Sequence, residues 1–324
     1  MSLLRRRRPH DTVTATATIE AVSVPGPDEV LWLDRDNALT IARERTNDSR
    51  LIEHSQRVIQ DGVTVIRNAI AREVCDGVRD DYRRYCEEHA EAASHADTYG
   101  KHTRLGSFHV VSHNALRIGT DAGVMRLLDF LFGYRASVYT SLTFEKSTQQ
   151  KIHRDSPFFH TIPVNYFAGV WTALEDIDDR AGPLEYYPGG HRFAIDPVAI
   201  GRQVKAEAAS DTGIDQLNGT AYNRYIEAIH SAATAAGSTI VRPEMRKGDT
   251  LIWHPCLPHG GGEIVDHSLT RASIVFHCSP IDVQFYGPDV FFGFAEPKPA
   301  GLTYRTEGDR KYVDQSVVQF YPDL

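Results

Sequence analysis

Beyond Tyr134 the chain is cut into short segments that are apolar or alternate apolar with polar, at 136–144, 151–155, 167–174, 184–187, 250–253 and 272–277. Turns separate them, as at Asp178-Asp179, Ala181-Gly182-Pro183 and Pro188-Gly189-Gly190. Segments this short are not stable singly. Each needs neighbours for its backbone groups and a shared interior for every second side chain. A closed or sandwiched antiparallel sheet meets both needs. The expected fold class is therefore mostly β with flanking helices.

The helices come mainly from the N-terminal half. Helical spacing runs from Asp36 through Ile41 and Leu51 to Ile59, and Asp61-Gly62 then turns into a short strand, Val63-Thr64-Val65-Ile66-Arg67. Residues 71–93 repeat Val74, Val78, Tyr82 and Tyr85 or Cys86 on one face and charge on the other, the pattern of a helix packed outside a sheet. A second helix is expected at 121–134, with Asp121 as N-cap and Val124, Leu127, Leu128 and Leu131 as its stripe. Between them, 94–120 carries Tyr99, Lys101, His102, Arg104, His109 and His113 and reads as a loop with short strands, placed to cover an active site. An insertion at 196–237 is expected to be helical around 222–236, and the aromatic tail from Asp289 to wrap the core. Residues 1–28, with a run of arginines from Arg5 to Arg8, read as a flexible segment, and 29–324 as a single domain.

A net charge of −8 argues against nucleic acid or an anionic membrane held by bulk electrostatics. No apolar run is long enough to span a bilayer. Cys75, Cys86, Cys256 and Cys278 are scattered, with neither a disulfide scaffold nor zinc-ribbon spacing, so a cytoplasmic setting is expected.

Three features carry chemistry. His153 and Asp155 sit two apart in a run that reads as strand, so both side chains point one way, as two ligands of one metal must. Further on, Lys247-Gly248-Asp249 turns into a short apolar strand that leads to His259 and three consecutive glycines, which let a backbone or ligand approach closely. Arg271 then opens an apolar strand, where an inward guanidinium would be expensive unless it met an anion. Taken singly, each has a plain reading: a surface His-Asp pair, a loop histidine, an edge-strand charge. Together, two imidazoles and a carboxylate leave half an octahedron open, the facial arrangement of oxygen-activating non-haem Fe(II) sites. Arg271 adds a grip for the far carboxylate of a chelating 2-oxo acid.

The order of motifs resembles the phytanoyl-CoA dioxygenase family of Fe(II)/2-oxoglutarate-dependent oxygenases. The matching stretches are His153-Arg154-Asp155, Val170 to Asp176, Ala181-Gly182-Pro183-Leu184-Glu185-Tyr186-Tyr187-Pro188-Gly189-Gly190-His191, Lys247-Gly248-Asp249, and His254 to Gly260 followed by Arg271. Asp61-Gly62-Val63 resembles the family's opening strand, so the likeness runs from about 58 to 280. It implies a double-stranded β-helix (jelly-roll) core, with Fe(II), 2-oxoglutarate and O2 as requirements and ascorbate as an optional accessory. It also implies His153, Asp155 and His259 as iron ligands and Arg271 on the cosubstrate, with Trp171 beside it and Lys101 as the covering-loop lysine. His254 matches a family histidine that is not a ligand. Some relatives carry a hydroxyl two positions after the distal histidine; here that position is Gly261, and Ser273 stands in for it. Halogenating relatives lack the carboxylate ligand, so Asp155 points to hydroxylation of a C–H bond with release of succinate and CO2. The substrate is expected to be a small molecule, polar or anionic, with Phe158, Phe159, His160, Tyr166, Tyr187, His191 and Arg192 as candidate lining. Two other readings stay open: a zinc hydrolase on the same triad, and a non-catalytic jelly-roll binding protein.

Overall fold

The computed structural model describes residues 24–96, 104–315 and 317–321. The arginine run, Tyr99, Lys101 and His102 lie outside them. The main strands are β1 (Val63–Ile66), β2 (Arg104–Gly106), β3 (Ala136–Phe144), β4 (Ala168–Ala173), β5 (Leu184–Tyr186), β6 (Thr250–Trp253), β7 (His259–Gly261), β8 (Ser273–Pro280), β9 (Tyr304–Glu307), β10 (Arg310–Val313) and β11 (Gln319–Tyr321).

The large sheet runs β1-β6-β4-β8-β3-β10-β9, with β2 also on β3 and β11 on β2. Its pairs are antiparallel except for the single β10–β3 bridge. A smaller layer is built from β5 and β7 and is widened by isolated bridges from His259 to His153 and from Tyr186 to Val241. Side-chain alternation sorts the large sheet's two faces. Trp171, Leu251, Trp253 and Val275 point inward and cluster with Leu184, Tyr186 and Leu257. Val170, Ile252, Ile274 and Phe276 point outward against helices Arg72–Glu88, His113–Gly119 and Ala122–Phe132. With both faces covered the central strands are buried on both sides, and the gap between layers forms the jelly-roll interior.

Several expectations need adjusting. Residues 151–155 do not form a strand: the Asp155 carbonyl accepts from the amides of Phe158 and Phe159, so the chain turns at the moment it delivers the carboxylate. The helix expected at 71–93 ends at Glu88 and restarts as Ala90–Ala96. Ser112 caps a further helix, His113–Gly119, in a stretch that reads as loop. The insertion is two helices, Pro197–Glu207 and Ile214–Ala235, packed on each other. The tail does more than wrap the core: β9 and β10 form a hairpin that extends the large sheet, and Arg310 pairs with Asp129 at 2.8 Å.

The Lys247-Gly248-Asp249 turn locks three elements together. The Gly248 amide donates to Ala173 and its carbonyl accepts from Ile70, while the Asp249 carboxylate accepts from Arg67 and from the Asn68 and Arg246 amides. Gly248 sits at φ +89°, and a Cβ there would lie 2.3 Å from the Ile70 carbonyl oxygen. Gly248→Ala is expected to destabilise the fold by about 3 kcal/mol, read as a lower urea midpoint at unchanged slope.

Candidate metal centre

His153 and His259 form an antiparallel bridge in which each residue's amide donates to the other's carbonyl at 2.9 Å. Their imidazoles therefore lie side by side, with ring centroids 4.7 Å apart. Each Nδ1 is bonded to the carbonyl two residues earlier, His153 to Lys151 at 2.8 Å and His259 to Leu257 at 3.0 Å. A carbonyl can only accept, so both rings carry the proton on Nδ1 and turn a bare Nε2 inward. Burial pushes the His259 imidazolium down to about 4, which keeps that ring neutral and ready to ligate.

The Asp155 carboxylate is divided between two tasks. Oδ2 accepts from Trp253 Nε1 at 2.9 Å and faces His277 Nε2 at 3.3 Å. Oδ1 is left between the Nε2 atoms of His153 and His259, at 3.7 and 3.6 Å. Two bonds of about 2.1 Å to one ion can bridge up to about 4.2 Å, so both spans fit. The three donor atoms lie within 4.8 Å of one another, and all three residues are buried. Burial works against the carboxylate's charge, but the neighbouring imidazoles outweigh it and hold Asp155 well below the usual range. Two neutral nitrogens, one charged oxygen and anchored outer atoms suit a borderline divalent ion with open positions.

Arg271 lines the same cavity and is 4% exposed. Its Nη1 donates to Ser273 Oγ at 3.3 Å, and the guanidinium lies 5.7 and 5.8 Å from the Trp171 and Phe144 ring centroids. Among the described residues no carboxylate is in ion-pair range, and Nε has no partner. Burial lowers its pKa to about 10, against the pull of Glu175, so the group stays cationic at neutral pH. A buried cation met only by a hydroxyl and two ring faces is a receptor for an anion. Trp171 lines the cavity beside Arg271, and Ser273 bonds the guanidinium. Lys101 lies outside the described residues; Arg104, buried, lines the cavity from β2.

A Cβ at Gly261 would lie 2.8 Å from Ser147 Oγ and 3.2 Å from the Gln149 amide nitrogen, so a side chain there would require Ser147 to move. The neighbouring glycine amides close the layer, Gly261 donating to Gln150 and Gly262 to Pro183. Trp253 and His277, which hold Asp155, are absent from the sequence-based site. A signal was available for His277: Arg271, Ser273, Val275 and His277 alternate along one strand and so share a face. Trp253 is admitted by its cross-strand partner Gly169, where a Cβ would fall 2.1 Å from the indole.

Of the proposed lining, only Phe159 reaches the centre, stacked on His277 at 3.7 Å. Phe158 packs on Tyr222, His160 on Phe291, and the Tyr166 hydroxyl donates to Glu29. His191 and Arg192 bond the Ile59 carbonyl. His254 is no part of the cluster: its Nε2 lies 3.0 Å from Asp34 Oδ1 in a separate ion pair.

A family model described as phytanoyl-CoA dioxygenase (PhyH) matches residues 59–270, more than half of the chain. The chain belongs to the phytanoyl-CoA dioxygenase family. Peroxisomal phytanoyl-CoA dioxygenase of Bos taurus is 28% identical over 144 residues, 43% of this chain and 38% of that protein. The chain thus spans well under half the length of this relative. Among solved structures, EctD from S. alaskensis with 2-oxoglutarate and 5-hydroxyectoine is 17% identical at a TM-score of 0.57, covering 78% of this chain and 84% of that one. The epimerase SnoN in complex with Fe3+, alpha ketoglutarate and nogalamycin RO is 16% identical at 0.54, covering 82% and 99%. Both share the fold of this family member.

Trp253→Phe, which removes the donor to Asp155 and keeps the ring, is expected to weaken Fe(II) or Co(II) affinity about 10- to 100-fold in equilibrium dialysis, with the fold intact. Asp34→Asn tests the separate ion pair. Burial opposes the His254 charge, yet Asp34 raises its pKa to about 10, and that stabilisation is complete below the unfolded value of 6.5 and fades as pH passes 10. The lowered Asp34 contributes above 3.8 and loses its share as acid protonates it. Asp34→Asn should therefore cost about 3 kcal/mol, most between pH 4 and 6.5, while metal affinity is unchanged.

Proposed function

We propose that the protein is a non-haem Fe(II)- and 2-oxoglutarate-dependent dioxygenase that hydroxylates an unactivated C–H bond of a small molecule, with release of succinate and CO2. One observation carries the reading: a convergent His153–Asp155–His259 set shares a cavity with a buried guanidinium, Arg271, for which the described residues offer no anion. Family membership and the shared fold support it.

When bound, iron supplies O2 activation coupled to decarboxylation of 2-oxoglutarate. The chain's part is binding and orientation. His153 and His259 would ligate through Nε2 while the Lys151 and Leu257 carbonyls retain the Nδ1 protons. Asp155 would ligate through Oδ1, its other oxygen being held by Trp253. Arg271 pairs with the C5 carboxylate of 2-oxoglutarate, Ser273 steadies the guanidinium, and Trp171 and Phe144 keep water from it. Arg104 adds a second positive charge to the cavity, and Lys101 belongs to the same proposal as the covering-loop lysine. The acyl-CoA named for the bovine relative is not carried over. A polar small-molecule substrate and a cytoplasmic setting complete the reading, the latter supported by four free cysteines. No helix among the described residues is long and apolar enough to cross a membrane.

Purified protein is expected to form succinate from 2-oxoglutarate only with Fe(II) and O2 together. Asp155→Ala should reduce this to background. Arg271→Ala should raise the Kd for 2-oxoglutarate about a hundredfold by isothermal titration, because it removes one half of a buried charge pair. Succinate formation without Fe(II), or an unchanged Kd in Arg271→Ala, would refute the reading.

A further inference from the structure

The metal cavity is small, about 80 Å³. A second cavity of about 400 Å³ adjoins it, within the range of small-molecule sites. The two share Leu142. They also meet at Phe159, which lines the outer cavity and lies flat on His277, whose Nε2 faces Asp155. The inner space suits the cosubstrate, and the outer one has the size for a second molecule.

Every described side chain on the outer wall is uncharged. Tyr139 and Phe159 both pack edge-on to Phe285, which fixes two aromatic surfaces on that wall. The Gln315 carboxamide is clamped: its oxygen accepts from the Ser107 and Thr140 hydroxyls and its Nε2 donates to the Tyr139 carbonyl. Gln319 and Val317, both exposed, form the outer part of the wall. The expectation of a polar or anionic substrate rests on the polar and basic residues from Tyr99 to His113. Of the basic ones that are described, Arg104 faces the inner cavity, His109 is buried on Ser141 at 2.7 Å, its pKa pushed by burial to about 4, and His113 is exposed with Nδ1 3.9 Å from Glu307. None of the three lines the outer wall. An anion there would give up hydration and meet no cation among the described lining residues.

We propose that the outer cavity holds the molecule to be oxidised, and that this molecule is uncharged: an aromatic or alicyclic frame bearing hydroxyl or amide groups. The frame lies against Phe159 and Tyr139, and its polar groups meet the Gln319 amide and the free Nε2 proton of Gln315. This rests on the oxygenase reading and narrows its substrate class.

A matched pair of probes tests the proposal in metal-free full-length protein by saturation-transfer NMR: phenyl β-glucoside, uncharged, and phenyl β-glucuronide, which differs by one carboxylate. Hexanoyl-CoA serves as a polyanionic third probe. The glucoside is expected to bind at least about tenfold more tightly than either anion. Val317→Arg, an exposed position remote from the metal ligands, should weaken the glucoside about tenfold and improve the glucuronide, leaving 2-oxoglutarate affinity within about twofold. Tighter binding of either anion, no glucoside binding up to about 10 mM, or a Val317→Arg variant with the wild-type preference would each overturn the proposal. These measurements need no iron, so their failure leaves the succinate assay standing, and failure of that assay leaves them standing.

Discussion

The reciprocal backbone hydrogen bonds between His153 and His259 are the constraint on which the centre depends. They join residues more than a hundred positions apart and set two imidazoles side by side before any metal arrives. Asp155 follows because the chain turns immediately after the bridge, returning its carboxylate to the same space. The small layer of the jelly roll is thus only a few residues long, yet it carries all three donors. Its brevity is tolerable because the large sheet behind it is covered on both faces and supplies the rigidity.

Charge explains why the interior is built for a guest. Arg271 is buried among rings and one hydroxyl, a position that costs stability unless an anion arrives. In the proposed reading, the binding of a dicarboxylate recovers that cost. Asp155 is different: Trp253 donates to its outer oxygen and so positions the carboxylate without its ion, while the inner oxygen faces two bare nitrogens. A zinc hydrolase would have use for the second arrangement and none for the first, and a lapsed binding protein would have no reason to keep both.

Much of this was legible in the sequence. β3 and β6 coincide with the segments expected at 136–144 and 250–253, each a short apolar or alternating run that needs strand neighbours on either side. The three donors, Arg271 and Trp171 were legible from motif order, and the cavity brings them together. What escaped was mostly tertiary. The turn at Asp155 does have a local signature in Asp155-Ser156-Pro157, but the alternation of His153 and Asp155 carries more weight in a reading by strand period. Trp253 reads as an ordinary core residue until its indole is seen to donate to Asp155. The tail hairpin is half exposed on an edge, where side chains need not alternate cleanly. Arg104, three residues beyond Lys101, lines the cavity, and chain order alone did not single it out.

The most direct test of a metal chelate beside a waiting guanidinium is the visible absorption of the anaerobic protein titrated with Fe(II) and then with 2-oxoglutarate. A weak charge-transfer band that appears only when both are present, at one equivalent each, is the result this structure predicts. No band, or one that persists unchanged when Asp155 and His259 are both replaced by alanine, would contradict it.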